Sequence, residues 1–204
     1  MIGICAKCGN YEWDKTVRDN EIICPKCGNR WPFVKLPLFI LTGCSGVGKT
    51  TTAMEIIRRR VEFTVLDKDM FYCIMPHETE ADHYDQVEQV GSLSKNLMQT
   101  GKPVLWTMAG NLDKLPKTYN SRFFREIRCL ALVCDREVLQ NRMREGRGIQ
   151  DENWIQSSID YNEYFKTHNT LGETAFETFD ITGKTVAETA DYVVEWVRRF
   201  PFPK

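Results

Sequence analysis

Leu36-Pro37-Leu38-Phe39-Ile40-Leu41-Thr42-Gly43-Cys44-Ser45-Gly46-Val47-Gly48-Lys49-Thr50-Thr51 is the stretch that decides the fold of this chain. Its first seven residues are an apolar run of the kind that forms a buried parallel strand. Gly43 to Thr50 then fits the pattern G-x-x-x-x-G-K-[ST]. Glycines let such a loop curl until its backbone N–H groups point inward at phosphate oxygens, the lysine reaches the β/γ-phosphates, and the hydroxyl of the last residue ligates Mg²⁺. From Thr51 to Arg59, Ala53, Ile56 and Ile57 recur at helical spacing. A helix starting there adds its free N–H groups and partial positive charge to the anion site. Gly43, Ser45, Gly46, Val47, Gly48, Lys49, Thr50 and Thr51 are therefore the expected nucleotide-phosphate contacts, with Thr50 also the expected Mg²⁺ ligand.

Downstream, apolar runs alternate with amphipathic stretches, which argues for an α/β domain with a parallel five-stranded sheet and helices on both faces. Further strands are expected at 62–67, 102–108, 127–134 and 175–181, and helices at 82–99, 136–145 and 151–167. A last helix opens on the capping box Thr185-Val186-Ala187-Glu188. Ligands of such sheets sit beyond the carboxyl ends of the strands. Asp67-Lys68-Asp69 ends the second strand, where one carboxylate could hold Mg²⁺ through water or take a proton from a substrate hydroxyl, and its neighbour could bind the substrate. The third strand ends in Thr107-Met108-Ala109-Gly110-Asn111 with no acid. The Walker B aspartate of motor-type NTPases is missing, so Asp67 or Asp69 is the candidate for the metal shell. Arg142, Arg144 and Arg147, with Gly146 and Gly148 beside the last, make a candidate lid near 142–150 that could neutralise a migrating phosphoryl group.

The chain of 204 residues is long enough for one α/β domain and a small appendage. That appendage is legible at 1–34. Cys5-x-x-Cys8 and Cys24-x-x-Cys27 repeat one knuckle, each followed by Gly-Asn, across a fifteen-residue spacer. This spacing is a four-cysteine zinc pattern, closed to solvent and therefore structural. It resembles a zinc ribbon, with Asn10 to Asp14 and Asn29 to Phe33 as its expected small strands. Its mixed charge favours a protein or intramolecular contact over nucleic acid. Cys44, Cys73, Cys129 and Cys134 read mainly as small hydrophobes. A formal net charge of −1 gives no general affinity for nucleic acid or membrane. No apolar run approaches a membrane span, the start lacks a signal-peptide pattern, and a cytosolic location is expected.

From 35 to 204 the layout resembles the small-molecule P-loop kinases, the group that includes shikimate, gluconate, adenylate and nucleoside kinases. It looks most like the bacterial nucleoside-kinase-like AAA-family ATPases, through Gly43 to Thr50, Asp67-Lys68-Asp69, Thr100 to Leu105, and Leu132-Val133-Cys134-Asp135 leading into Arg142. The resemblance implies ATP and Mg²⁺ as cofactors, and phosphoryl transfer to a small acceptor, with a nucleoside or nucleotide favoured. It places Arg142 against adenine, Thr182, Gly183 and Lys184 along the adenine edge, and Lys49, Asp67, Asp69 and either Arg144 or Arg147 at the chemistry. It also implies an acceptor pocket between 71–84 and 111–124, where Phe71, Tyr72, His77, His83, Tyr119 and Phe123 suit either base stacking or packing. The alternative is an ATP-binding or ATP-hydrolysing regulatory module whose zinc ribbon contacts protein or nucleic acid.

Overall fold

In a computed structural model, which describes residues 1–202, the N-terminal segment is a three-stranded antiparallel sheet of β1 (Thr16–Arg18), β2 (Glu21–Ile23) and β3 (Arg30–Pro32). The expected strand at Asn10 to Asp14 is instead a turn. The Asn10 side chain bonds Asp14 at 2.8 Å and accepts from the Glu12 amide at 3.1 Å, and such local side-chain bonding competes with a ladder.

The chain then enters β4 (Leu38–Thr42), α1 (Lys49–Arg58), β5 (Thr64–Asp67), α2 (Glu80–Leu97), β6 (Val104–Thr107) and β7 (Ile127–Val133). After these come α3 (Arg136–Asn141), α4 (Glu152–Thr167), a short hairpin of β8 (Thr170–Leu171) and β9 (Thr174–Ala175), β10 (Glu177–Asp180) and α5 (Val186–Arg198). The main sheet has five strands in the order β10-β7-β4-β6-β5, all parallel.

Every residue of β4 is buried because the strand is central and covered on both faces. Phe39, Leu41 and Leu105 face one core with Ile56 of α1 and Val193 of α5, whereas Leu38, Ile40 and Trp106 face the other with Val87 and Val90 of α2. Helix α2 starts two residues earlier than expected. Thr79 is its N-cap, and Asp82 completes a reciprocal capping box, so the acid expected to open the helix is the third residue of its first turn. Among the described residues, no helix is long and apolar enough to cross a membrane.

The N-terminal segment, expected as a ribbon, packs on α2 and the segment after β6. Trp13 stacks on Tyr119 at 5.6 Å, Phe33 meets Phe123 edge-on at 5.8 Å, and the Lys15 amide donates to Tyr119 Oη at 2.9 Å. Beneath these rings, buried Lys95 of α2 donates to Asn120 Oδ1 at 2.6 Å, with its ammonium 4.5 Å from the Phe123 ring centre. Burial lowers the Lys95 pKa to about 8. Glu88 of the same helix accepts from the Asn120 side chain at 2.7 Å and from the Tyr119 amide. Of the two roles open to Tyr119 and Phe123, stacking on a base or packing, the structure shows packing against the N-terminal segment, and neither lines the cleft described below.

Candidate active site and cysteine cluster

The strand, loop and helix of the phosphate-binding pattern meet at the carboxyl end of β4. Gly43 and Gly48 hold φ of 134° and 111°, which side chains rarely tolerate. A Cβ on Gly43 would lie 2.5 Å from the Leu132 carbonyl oxygen, so glycine is required for the loop to pass β7. Lys49 Nζ donates to the carbonyls of Gly43 and Cys44, each at 2.8 Å, leaving its third proton for a phosphate oxygen. Burial lowers the Lys49 pKa, against the pull of Cys44 and the two aspartates. The Cys44 thiol is itself pushed up to about 12 by burial and packs in the core, which fits a small hydrophobe rather than a nucleophile.

A cleft of about 880 Å³ runs along the sheet's carboxyl edge and gathers Ser45 through Thr51 of the loop, Asp67 and Asp69 after β5, and Thr107 after β6. From the lid side it gathers Arg142, Gly146 and Arg147, and from beyond β10, Lys184. Thr50 Oγ1 donates to Asp67 Oδ2 at 2.9 Å. The other Asp67 oxygen accepts the Asp69 amide at 3.0 Å, which turns the chain so that both carboxylates face the cleft. Between them, Lys68 is buried and reaches Gln86 of α2 instead. Partial withdrawal from water, followed by the charge of Asp67, raises the Asp69 pKa. No donor lies within hydrogen-bond distance of the Asp69 carboxylate among the described residues.

The arginines separate sharply. Helix α3 runs into a π-helical turn at Arg142–Gly146. Arg142 donates to the Val47 carbonyl at 3.1 Å, and Arg147 donates to Ser45 Oγ at 2.6 Å while its guanidinium lies 5.5 Å from the Trp154 ring centre. Arg144 points away from the cleft and pairs with Glu152 at 2.7 and 2.9 Å, so its expected place at the chemistry is not supported. The segment expected as a lid is held at both ends, because Met143 and Ile149 are buried and the Ile149 amide donates to the Met143 carbonyl.

Of the three residues expected along the adenine edge, Lys184 lines the cleft. Thr182 and Gly183 shape the turn: Thr182 Oγ1 accepts from the Asp135 amide at 2.8 Å, and Gly183 holds φ 70°. Asn111 adopts φ 65° at a turn and does not line the cleft, and Phe71 is stacked on Trp106. Two further lining residues stand out. Trp154 is 45% exposed at the start of α4, and the buried Thr107 hydroxyl has no hydrogen-bond partner.

The four N-terminal cysteines form a second candidate site, with their sulfurs all within 4.8 Å of one another. Cys5 and Cys27 sulfurs are 3.6 Å apart, and Cys8 and Cys24 sulfurs 3.7 Å. Thiolates about 2.3 Å from a tetrahedral Zn²⁺ stand about 3.8 Å from one another, so the donor set fits that ion. The two knuckles are duplicates. Gly9 and Gly28 hold φ of 71° and 69°, and their amides donate to Cys5 and Cys24 carbonyls. Asn10 Nδ2 donates to Cys24 Sγ and Asn29 Nδ2 to Cys5 Sγ, each at 3.7 Å, so each knuckle supports the first sulfur of the other.

Compared with known proteins, residues 40–166 match the family described as AAA domain. No curated protein matches the sequence. Among solved structures, a gluconokinase from Sinorhizobium meliloti 1021 is similar, with 16% identity over 82% of this chain and 93% of that one, and a TM-score of 0.57. The tunicamycin resistance protein of Deinococcus radiodurans shares 15% identity over 83% of this chain and 99% of that one, at a TM-score of 0.58. A shikimate kinase from Acinetobacter baumannii in complex with shikimate shares 21% identity over 82% of this chain and 96% of that one, at 0.53. Likeness at these identities shows the fold, which is that of the P-loop small-molecule kinases.

Proposed function

The chain belongs to the AAA domain family, and on that premise we propose that it is a kinase that transfers a phosphoryl group from Mg-ATP to a small acceptor. The observation that carries the proposal is the convergence on one cleft of Lys49, the Asp67 and Asp69 pair, and Arg147. The strand beside the phosphate-loop strand, β6, ends in Thr107 with no acid, and the carboxylates stand one strand further out, at the end of β5.

The loop amides and Lys49 bind the nucleotide phosphates, and Arg142 and Lys184 border the base and ribose. A Mg²⁺ ion held here would supply positive charge against the nucleotide phosphates. Thr50 Oγ1, already joined to Asp67 Oδ2, fits its ligand position, with Asp67 orienting the surrounding shell. Asp69, free of donors and with its proton affinity raised, takes the acceptor's hydroxyl proton as that oxygen bonds to the γ-phosphorus. The bond from the γ-phosphorus to the β–γ bridging oxygen breaks, and ADP leaves with the electron pair. Arg147, held across the loop at Ser45, neutralises the moving phosphoryl group.

We also propose that Cys5, Cys8, Cys24 and Cys27 hold a structural Zn²⁺ and that the ribbon braces the kinase domain from within the chain. The ring contacts to Tyr119 and Phe123 support an intramolecular role over a nucleic-acid one. The test is to incubate the full chain with Mg-ATP and an acceptor panel and to follow the gain of one phosphoryl mass. Phosphorylated acceptor is expected. Acceptor-independent phosphate release with no phosphorylated product would favour the regulatory reading and remove this one.

A further inference from the structure

On the kinase reading above, we infer that the acceptor is a hydroxyl compound bearing no carboxylate or phosphate, and that amine-bearing acceptors are preferred to neutral ones. The sheet order divides the cleft into two halves of opposite charge. Arg142 and Arg147 follow β7 and Lys184 follows β10, so these cations lie on the β7–β10 side, with Lys49 at the central loop. The β6–β5 side is lined by Asp67, Asp69, Tyr72, Thr107, Met108 and Ala109, without one lysine or arginine.

From Asp69 to Ser94 the sequence has no lysine or arginine, so the segment that follows β5 brings no such cation to this side. The nearby cations are already engaged. Lys68 is buried and bonded to Gln86, Lys95 lies beneath the ribbon, and Lys114 pairs with Glu80 at 2.8 Å. A carboxylate or phosphate brought beside Asp69 on the side away from Lys49 and Arg147 would meet like charge, with no lysine or arginine lining that half to pair with it. An ammonium group there would be attracted, and a neutral polyol tolerated.

Thr107 is a second and independent sign that a polar ligand sits on this side. Its side chain is 1% exposed, its Oγ1 has no hydrogen-bond partner, and it lines the cleft beside Asp67, with which it is in register across β5 and β6. A buried hydroxyl without a partner is costly unless a ligand completes it. It can donate to one acceptor hydroxyl while Asp69 accepts from another. Tyr72, exposed after β5, lines this half and gives it an aromatic face.

The test uses the full chain and Mg-ATP with charge-matched acceptor sets: glucosamine, glucose and gluconate, then amino alcohols with their diol and hydroxy-acid counterparts, then nucleosides with their monophosphates. Phosphorylated products are identified by mass, and kcat/KM is compared within each set. The expected order is cationic above neutral, with anionic members at least about tenfold below neutral ones. Salt should weaken the cationic preference. Turnover of any anionic member as fast as its neutral counterpart would overturn the inference and leave the kinase reading standing. No phosphorylated product in any set, with or without ADP, would overturn the kinase reading and this inference with it. In parallel, Thr107→Val should raise the acceptor KM about tenfold with the ATP Kd within about twofold. An unchanged acceptor KM would remove Thr107 from the acceptor site.

Discussion

Arg147 Nη1 donates to Ser45 Oγ at 2.6 Å, joining the lid to the phosphate loop across 102 residues of sequence. Arg144, three residues earlier, spends its guanidinium on Glu152 outside the cleft. The two arginines should therefore part in kinetics. Arg147→Ala is expected to lower kcat by about 10³-fold, the lower end of what a phosphate-neutralising arginine supplies. Arg144→Ala should leave kcat within about twofold and cost at most about 1 kcal/mol, because it removes an exposed ion pair. Steady-state kinetics and denaturant titration of both variants check this, and equal losses in kcat would refute the assignment.

Thr50 and Asp67 make a separable prediction about metal. Asp67→Asn keeps a hydrogen-bond acceptor for Thr50 Oγ1 and removes the charge that would draw a hydrated cation. Metal-free nucleotide binding should be unchanged, whereas the gain in ATP affinity on adding Mg²⁺ should shrink by about tenfold. Calorimetric titration with and without chelator distinguishes the two. A full Mg²⁺-dependent gain in Asp67→Asn would place the metal-organising acid elsewhere.

Asp69 carries a stability cost that its proposed role explains. Its folded pKa is raised, so the native state holds that proton more tightly than the unfolded chain. Stability from this group is present at acid pH and is lost as pH rises through the folded value. Asp69→Asn should therefore melt at a higher temperature than the wild type at pH 7, and the advantage should fade as pH drops toward the unfolded value of about 3.9. Transfer should fall by about 10²-fold or more in the same variant. A lower melting temperature at pH 7 would contradict the electrostatic account.

How much of this was legible in the chain depends on how local each determinant is. Leu38 to Thr50 specifies strand, loop and helix through neighbouring residues alone, and the Thr185 to Glu188 box does the same for α5. The choice between Arg144 and Arg147 was not readable. A π-turn at Arg142–Gly146 changes the angular step per residue, so ordinary helical spacing misplaces both side chains. Tyr119 and Phe123 looked as suited to a base as to a core because their partners, Trp13 and Phe33, lie about 90 to 106 residues away in the ribbon. Thr107 is marked in the sequence by its place at the end of the third strand, but the missing partner of its hydroxyl shows only in the folded chain.

Packing of the ribbon's platform gives a sharp steric test. A Cβ on Gly91 of α2 would stand 2.6 Å from the Asn120 Cβ, in the buried contact that also holds Glu88 and Lys95. Gly91→Ala should cost about 1–3 kcal/mol despite alanine's better helix propensity. An exposed helix glycine would show the opposite sign, so stabilisation by Gly91→Ala would mean that the contact between α2 and Asn120 is not made in solution.

Metal removal tests the ribbon as a brace. Among the described residues its hydrophobic cluster is Ile22, Phe33 and Phe123, with partly buried neighbours that include Trp31 and Tyr119, and Phe123 comes from outside the N-terminal segment. So small a core cannot hold three short strands without the cysteine site. The protein is expected to carry one Zn²⁺ per chain by elemental analysis. Chelation or Cys24→Ser should lower the melting temperature by at least about 4 °C, which for a chain of this size corresponds to at least about 1 kcal/mol. Trp13 and Trp31 lie in the ribbon and its interface, and their fluorescence should shift to longer wavelength as the ribbon leaves Tyr119. The acceptor KM should rise as well, because α2 carries Glu88 and Lys95 under the ribbon and Gln86 against Lys68, between the two aspartates. Metal-free protein with the same melting temperature, spectrum and acceptor KM would show that the ribbon is not a brace.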